Sequence, residues 1–218
     1  MKILFIGNSY TYFNDMPHKL LALIEENGGC AEVYSVTKGG RKLCQYADID
    51  DEYSHAIEEL AADGDFDVLI LQEQSYFALV DREKFLYGVK ALAGKIGARR
   101  TLLYATWGRG DGCPLLDDHG WTRKSMTEGL LDAYREAAEL ISGEVSAVGS
   151  AFYRVLEVWP EAKLYEDDLS HPSALGTALG VLVHYRTICG ALPQKYSSLG
   201  IEAEDAARLA AAISGGMA

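Results

Sequence analysis

The chain has 218 residues, 49% of them hydrophobic, which suits one α/β domain with a full core and excludes the composition of a disordered chain. Its formal charge is −12, from 20 Lys/Arg against 32 Asp/Glu, and no local Lys/Arg cluster offsets it. That balance argues against nucleic acid or an anionic membrane as partner.

The chain alternates between strand-like and helix-like segments, the pattern of a parallel sheet covered on both faces. Met1 to Ile6 is a short continuous apolar run, as expected of a buried strand, and it ends in Gly7-Asn8-Ser9. Asp15-Met16-Pro17 starts a helix with Pro in its first turn; Leu20, Leu21, Leu23 and Ile24 give the buried face, and Gly28-Gly29 ends it. Ala31 to Thr37 alternates as a second strand, followed by Gly39-Gly40. Tyr53 to Ala62 reads as a short helix, and Phe66 to Leu71 as the clearest central strand. Asp81 to Ile96 is a helix and Thr101 to Ala105 the fourth strand.

Residues 107–121 carry four Gly and one Pro without periodicity, which makes this segment a candidate pocket wall or lid. Met126, Leu130, Tyr134, Ala137 and Ile141 then set a helix over 122–142. Glu144 to Val148 is the expected fifth strand. Ser150 to Val158, Pro172 to Cys189 and Glu202 to Ile213 are expected helices. No repeat or linker divides the chain.

No secretory leader is visible, and the longest late apolar stretch, 174–183, is too short to span a bilayer. Cys30, Cys44, Cys113 and Cys189 are scattered without metal-finger or C-x-x-C spacing. The expectation is a cytoplasmic protein with reduced thiols and no metal. Asp117-Asp118-His119 lacks a further His at ligand spacing. His184 is expected to be a packed or surface histidine.

Two segments carry chemistry. A Ser on the turn leaving the first strand sits at the carboxyl edge, where open α/β sheets hold ligands. Near the other end stands Asp168-Leu169-Ser170-His171-Pro172. His171 precedes a proline and is pushed toward extended backbone, with Pro172 expected at the first helical position. Asp168, in the same turn, is within reach of one ring nitrogen and fixes the tautomer. An orienting acid and a base are what a Ser nucleophile requires. The closing Gly of the G-x-S-x-G elbow is absent from Gly7-Asn8-Ser9-Tyr10-Thr11, which disfavours an α/β-hydrolase proper.

In these blocks the chain resembles SGNH/GDSL-type hydrolases. Ile6-Gly7-Asn8-Ser9-Tyr10-Thr11 matches the block that bears the nucleophile, and Asp168-Leu169-Ser170-His171-Pro172 the block that bears the acid and base. The resemblance implies that Ser9, Asp168 and His171 are catalytic. It places Gly40, with Gly39 as the alternative register, at the backbone donor of the oxyanion hole beside the Ser9 N–H. The family's Gly-x-Asn-Asp block is replaced by Gln72-Glu73-Gln74-Ser75, which puts Gln74 at the position of the amide donor, one methylene longer. Glu73 is then expected to turn away from the oxyanion and bind neighbouring backbone.

Aromatic residues crowd the same edge: Tyr10, Tyr12, Phe13, Tyr76, Phe77, Trp107 and Trp121. Tyr10, Tyr76 and Trp107 are the expected substrate contacts, through ring stacking or an apolar acyl pocket. The implied fold is a flavodoxin-like three-layer α/β/α sandwich with a five-stranded parallel sheet. The implied activity is hydrolysis of small acyl esters, carbohydrate O-acetyl esters among them, without a cofactor. A thioesterase or lysophospholipase using the same residues stays open, as does a non-catalytic phosphate- or nucleotide-binding module.

Overall fold

The computed structural model describes residues 1–214. Five strands, β1 (Lys2–Gly7), β2 (Glu32–Thr37), β3 (Val68–Leu71), β4 (Arg100–Tyr104) and β5 (Glu144–Ser146), form a parallel sheet in the order β2-β1-β3-β4-β5. The register sets Ile3 beside Val33 and Val68, and Ile6 beside Val36 and Leu71. Alternation along each strand sends Ile3, Phe5, Val68, Ile70 and Tyr104 to one core and Leu4, Ile6, Leu69, Leu71 and Leu103 to the other. Both faces are buried, which is why the inner strands read as continuous apolar runs.

The helices are α1 (Ser9–Tyr12), α2 (Met16–Glu26), α3 (Leu43–Asp48), α4 (Glu52–Asp63), α5 (Phe77–Val80) and α6 (Arg82–Ile96). They continue with α7 (Pro114–His119), α8 (Arg123–Ile141), α9 (Val148–Val158), α10 (Ala174–Cys189) and α11 (Ala203–Ser214). Leu20 and Leu23 of α2, Phe152 of α9, Leu179 of α10 and Leu209 of α11 fill the first core. Tyr46 of α3, Ile57 of α4, Phe85 of α6 and Leu130 of α8 fill the second. The three layers are therefore those expected. Among the described residues no helix is long and apolar enough to cross a membrane.

Three expectations need correction. The 107–121 segment contains α7, which Pro114 opens and Gly120 closes in the left-handed conformation at φ 66°. A helix this short shows no period, and α1, α3 and α5 escape the sequence for the same reason. Strand β5 stops at Ser146 because α9 begins at Val148, before the expected Ser150. Pro172 is not the first helical residue. The Oγ of Ser173 accepts from Gly176 N at 3.1 Å and caps α10, while Pro172 forms an isolated bridge with Tyr165.

Close packing of α9 on the end of β4 depends on Gly149. A Cβ there would lie 2.1 Å from the Thr106 carbonyl oxygen and 3.0 Å from Trp107 Cα, both backbone atoms. We expect Gly149→Ala to lower stability by roughly 1–3 kcal/mol, the usual penalty of overpacking. Urea denaturation checks this as a lower midpoint at an unchanged slope; an unchanged midpoint would refute it.

Candidate active site

The neighbours of β1 leave it in opposite directions, to β2 on one side and β3 on the other, and the carboxyl edge at such a reversal forms a crevice. Asn8 sits at its base. The Asn8 backbone N–H donates to Gln72 Oε1 at 2.9 Å, its Oδ1 accepts from Tyr10 N at 3.3 Å, and its Nδ2 donates to Arg41 O at 3.1 Å. Asn8 thus caps α1 and ties the exit of β1 to the loops after β2 and β3. Ser9 follows as the first residue of α1, where a backbone N–H has no acceptor one turn back. Gly7 is needed for room, since a Cβ there would lie 2.5 Å from Thr11 Oγ1 and 2.8 Å from Gln72 Oε1.

A cleft of ≈ 180 Å³ opens above this base, bordered by Ser9, Gly40, Gln74, Ser75, Arg109 and His171. A larger hollow between α8 and α9 has no histidine among the residues that line it. Gly40 adopts the left-handed conformation at φ 68° with open space around it, so backbone angle rather than crowding favours glycine there. The Gln74 side-chain amide rests on Ser75 Oγ at 3.3 Å.

His171 and Asp168 arrive on one turn. Asp168 Oδ1 accepts the backbone N–H groups of Ser170 and His171, each at 2.9 Å, and Oδ2 lies 2.5 Å from His171 Nδ1. Burial pushes the Asp168 carboxyl up, but the bonds from the His171 ring and from the His171 and Ser170 N–H groups outweigh it and hold the pKa below its ordinary value. An ionised Asp168 keeps the ring proton on Nδ1 and frees Nε2, which lies 2.8 Å from Ser9 Oγ. The ring is clasped by Phe13, stacked at 4.3 Å, and by Tyr10, edge-on at 5.5 Å. A hydroxyl bonded to a base that is itself oriented by a carboxylate is the arrangement that activates serine as a nucleophile.

The match extends beyond this site. Among solved structures, a candidate SGNH hydrolase from Slackia heliotrinireducens aligns at 27% identity with a TM-score of 0.76, covering 86% of this chain and 98% of that one. The chain has the fold of the SGNH/GDSL-type hydrolases. A DUF4886-family protein from Bacteroides uniformis is similar at 16% identity and TM-score 0.77, with coverage of 97% and 92%. A catalytic mutant of an acetylxylan esterase from Geobacillus stearothermophilus is similar at 14% identity and TM-score 0.59, with coverage of 92% and 94%. No family model and no curated protein matches the sequence.

Within this SGNH/GDSL frame Ser9, Asp168 and His171 come together, and Gly40 and Gln74 border the same cleft. Two expected substrate contacts do not. Trp107 is 0% exposed, stacked between Tyr10 at 4.7 Å and Phe152 at 4.0 Å, and its Nε1 donates to Ser170 O at 3.0 Å. Its burial contributes roughly 1.5–3 kcal/mol to the fold, and its indole N–H holds the turn that bears Asp168 and His171. Tyr76 turns toward α7, where it meets His119 and Trp121 at 5.6 and 6.5 Å. Tyr10 touches the cleft, but it is buried and its hydroxyl is paired with Ser170 Oγ at 2.9 Å.

The sequence reading missed Gln72, Ser75 and Arg109. For Gln72 a signal existed: a polar residue directly after the apolar run of β3, at 0% exposure, whose Oε1 also accepts from Thr11 Oγ1 at 3.0 Å.

Glu73 turns away from the cleft as expected. It is 0% exposed; both carboxyl oxygens accept from Leu43 N at 3.2 Å, and Oε1 accepts from Gln74 N at 2.6 Å. Burial raises its pKa from 4.5 to about 8, against the lowering effect of those N–H bonds and of Lys42. Between these values the unfolded chain is ionised while the folded one keeps its proton, so stability falls as pH rises through that window. The Glu73 share of the slope is at most about 1.4 kcal/mol per pH unit. Thermal melts from pH 5 to 8 should show this decline in the wild type and a shallower one in Glu73→Gln; parallel curves would rule it out.

Proposed function

We propose that the chain hydrolyses small acyl esters with Ser9 as nucleophile, His171 as base and then acid, and Asp168 as the group that orients the imidazole. The observation that carries this reading is the 2.8 Å contact between Ser9 Oγ and His171 Nε2, continued by the 2.5 Å contact from Nδ1 to Asp168. Ser9 Oγ attacks the ester carbonyl while His171 takes its proton. The tetrahedral intermediate then expels the alcohol, which leaves with that proton, and an acyl-Ser9 remains. His171 next deprotonates a water that attacks the acyl group, and the carboxylic acid departs as Ser9 regains its hydrogen.

Negative charge develops on the carbonyl oxygen in both halves. In this reading it faces the N–H groups of Ser9 and Gly40 and the amide of Gln74. The Gln74 amide is free to do so because its 3.3 Å bond to Ser75 is long and readily exchanged. An acetyl group on a carbohydrate is the favoured substrate class: a cleft of ≈ 180 Å³ suits a short acyl group better than the chain a lysophospholipase takes. The acetylxylan esterase among the similar structures points the same way. A phosphate- or nucleotide-binding module would leave the contact between His171 and Ser9 without a role.

Labelling with a fluorophosphonate, read by intact mass and peptide mapping, should give one adduct on Ser9. The adduct is lost in Ser9→Ala and greatly slowed in His171→Ala. No adduct on folded wild-type protein overturns the reading. On an ester that the wild type turns over, Gln74→Ala should lower kcat by roughly 10²–10³-fold with little change in KM, the usual effect of losing one oxyanion donor. An unchanged kcat removes Gln74 from the mechanism.

A further inference from the structure

We propose that Arg109 makes this cleft selective for esters that carry a carboxylate near the scissile bond, on either the acyl or the alcohol side. Acyl esters of acidic sugars and half-esters of dicarboxylic acids share that chemistry. The inference rests on the esterase reading for its reaction and on separate observations for its selectivity.

Arg109 borders the cleft together with Ser9 and His171. Its backbone is fixed on both sides: Gly108 N donates to Thr127 Oγ1 at 2.9 Å, and Gly110 N donates to Leu169 O at 2.8 Å, in the turn between Asp168 and His171. The side chain donates from Nη2 to Ser75 Oγ at 2.9 Å, and its guanidinium carbon lies 5.9 Å from the centre of the Tyr10 ring. Its Nε is buried without an acceptor.

Among the described residues no carboxylate lies within ion-pair distance of Arg109. Arg154 and Arg186 share that lack, but neither borders the cleft, and the other arginines are paired. Arg41 pairs with Asp51 at 2.6 Å, Arg100 with Glu144 at 2.7 Å and Arg123 with Asp111 at 3.3 Å. Among the described residues, the arginine that borders the cleft of Ser9 has no such carboxylate partner. Gly40, Gln74 and Ser75, which border the cleft beside it, are uncharged.

This half-buried guanidinium has a dry Nε without an acceptor and no anion beside it. Its planar fork matches a carboxylate with two parallel bonds. The net charge of −12 repels anions at long range, so this preference is local, set by contact with Arg109.

The test compares wild-type kcat/KM on two pairs of esters. Mono-(4-nitrophenyl) succinate against its methyl ester probes the acyl side; 4-acetoxybenzoate against its methyl ester probes the alcohol side. The anion should be favoured in at least one pair by roughly ten- to hundredfold, mainly through KM, as a charge-assisted contact implies. That ratio should collapse toward one in Arg109→Gln and survive in part in Arg109→Lys, whatever the absolute rates. No anion preference in either pair, or a ratio that persists in Arg109→Gln, overturns the proposal. So does a Gln variant whose loss of rate is equal for anion and neutral ester, because Arg109 would then act on the oxyanion alone.

Calorimetric binding of the same pairs to Ser9→Ala, with and without Arg109→Gln, separates this inference from the one beneath it. A wild type that turns over no ester defeats the esterase reading, yet tighter binding of the anion that depends on Arg109 still upholds the selectivity. Equal affinities for anion and neutral ester defeat it.

Discussion

Asn8 joins the loops after β1, β2 and β3 through one backbone and two side-chain contacts, to Gln72, to the N-terminus of α1 and to Arg41. Each such bond contributes about 1 kcal/mol net, but losing one strands a buried partner at a cost of roughly 1–3 kcal/mol. The joint is reinforced by Tyr46, whose hydroxyl donates to Gly7 O at 2.6 Å, and by Glu73, which holds Leu43 N and Gln74 N. The loops bearing Ser9, Gly40 and Gln74 are therefore one body. A Ser at the end of a strand is common; a Ser whose surroundings are braced in this way is held at a fixed point in space.

The charges around that point are sorted by their partners. Asp168 is ionised because its turn supplies N–H groups and the imidazole. Glu73, close by in sequence to a proposed oxyanion donor, is held neutral up to about pH 8 by burial. A carboxylate there would oppose the negative charge that acyl transfer develops, so the environment that raises its pKa also protects the chemistry. The same rule of burial holds His184 neutral in the core, with its pKa lowered to about 3 and its Nδ1 bonded to Ser146 Oγ at 2.8 Å.

The strands and long helices were legible because their periods repeat. The helices of four to six residues were not, because α1, α3, α5 and α7 end before a 3.6-residue period is visible. The contact among Ser9, Asp168 and His171 was anticipated from two segments far apart in the chain, since strand order places both at one edge. Trp107 shows where such reasoning stops. An aromatic residue after a strand can face a ligand or the core, and only the packing of Phe152 beneath it decides. Arg109 was hidden for a related reason: its significance lies in the acids that do not reach it, and no local pattern reveals a missing partner.

The indole of Trp107 also couples two parts of the molecule that the chain keeps apart. One of its faces lies on Tyr10 of α1, the other on Phe152 of α9, and its nitrogen holds the carbonyl of Ser170 beside His171. The turn that bears His171 is held at the middle of this aromatic column, through the Trp107 nitrogen, and at its Tyr10 end, where the Tyr10 hydroxyl meets Ser170 Oγ at 2.9 Å. The stacking of Tyr10, Trp107 and Phe152 therefore joins the helix that bears Ser9 to α9 and to the turn that bears His171.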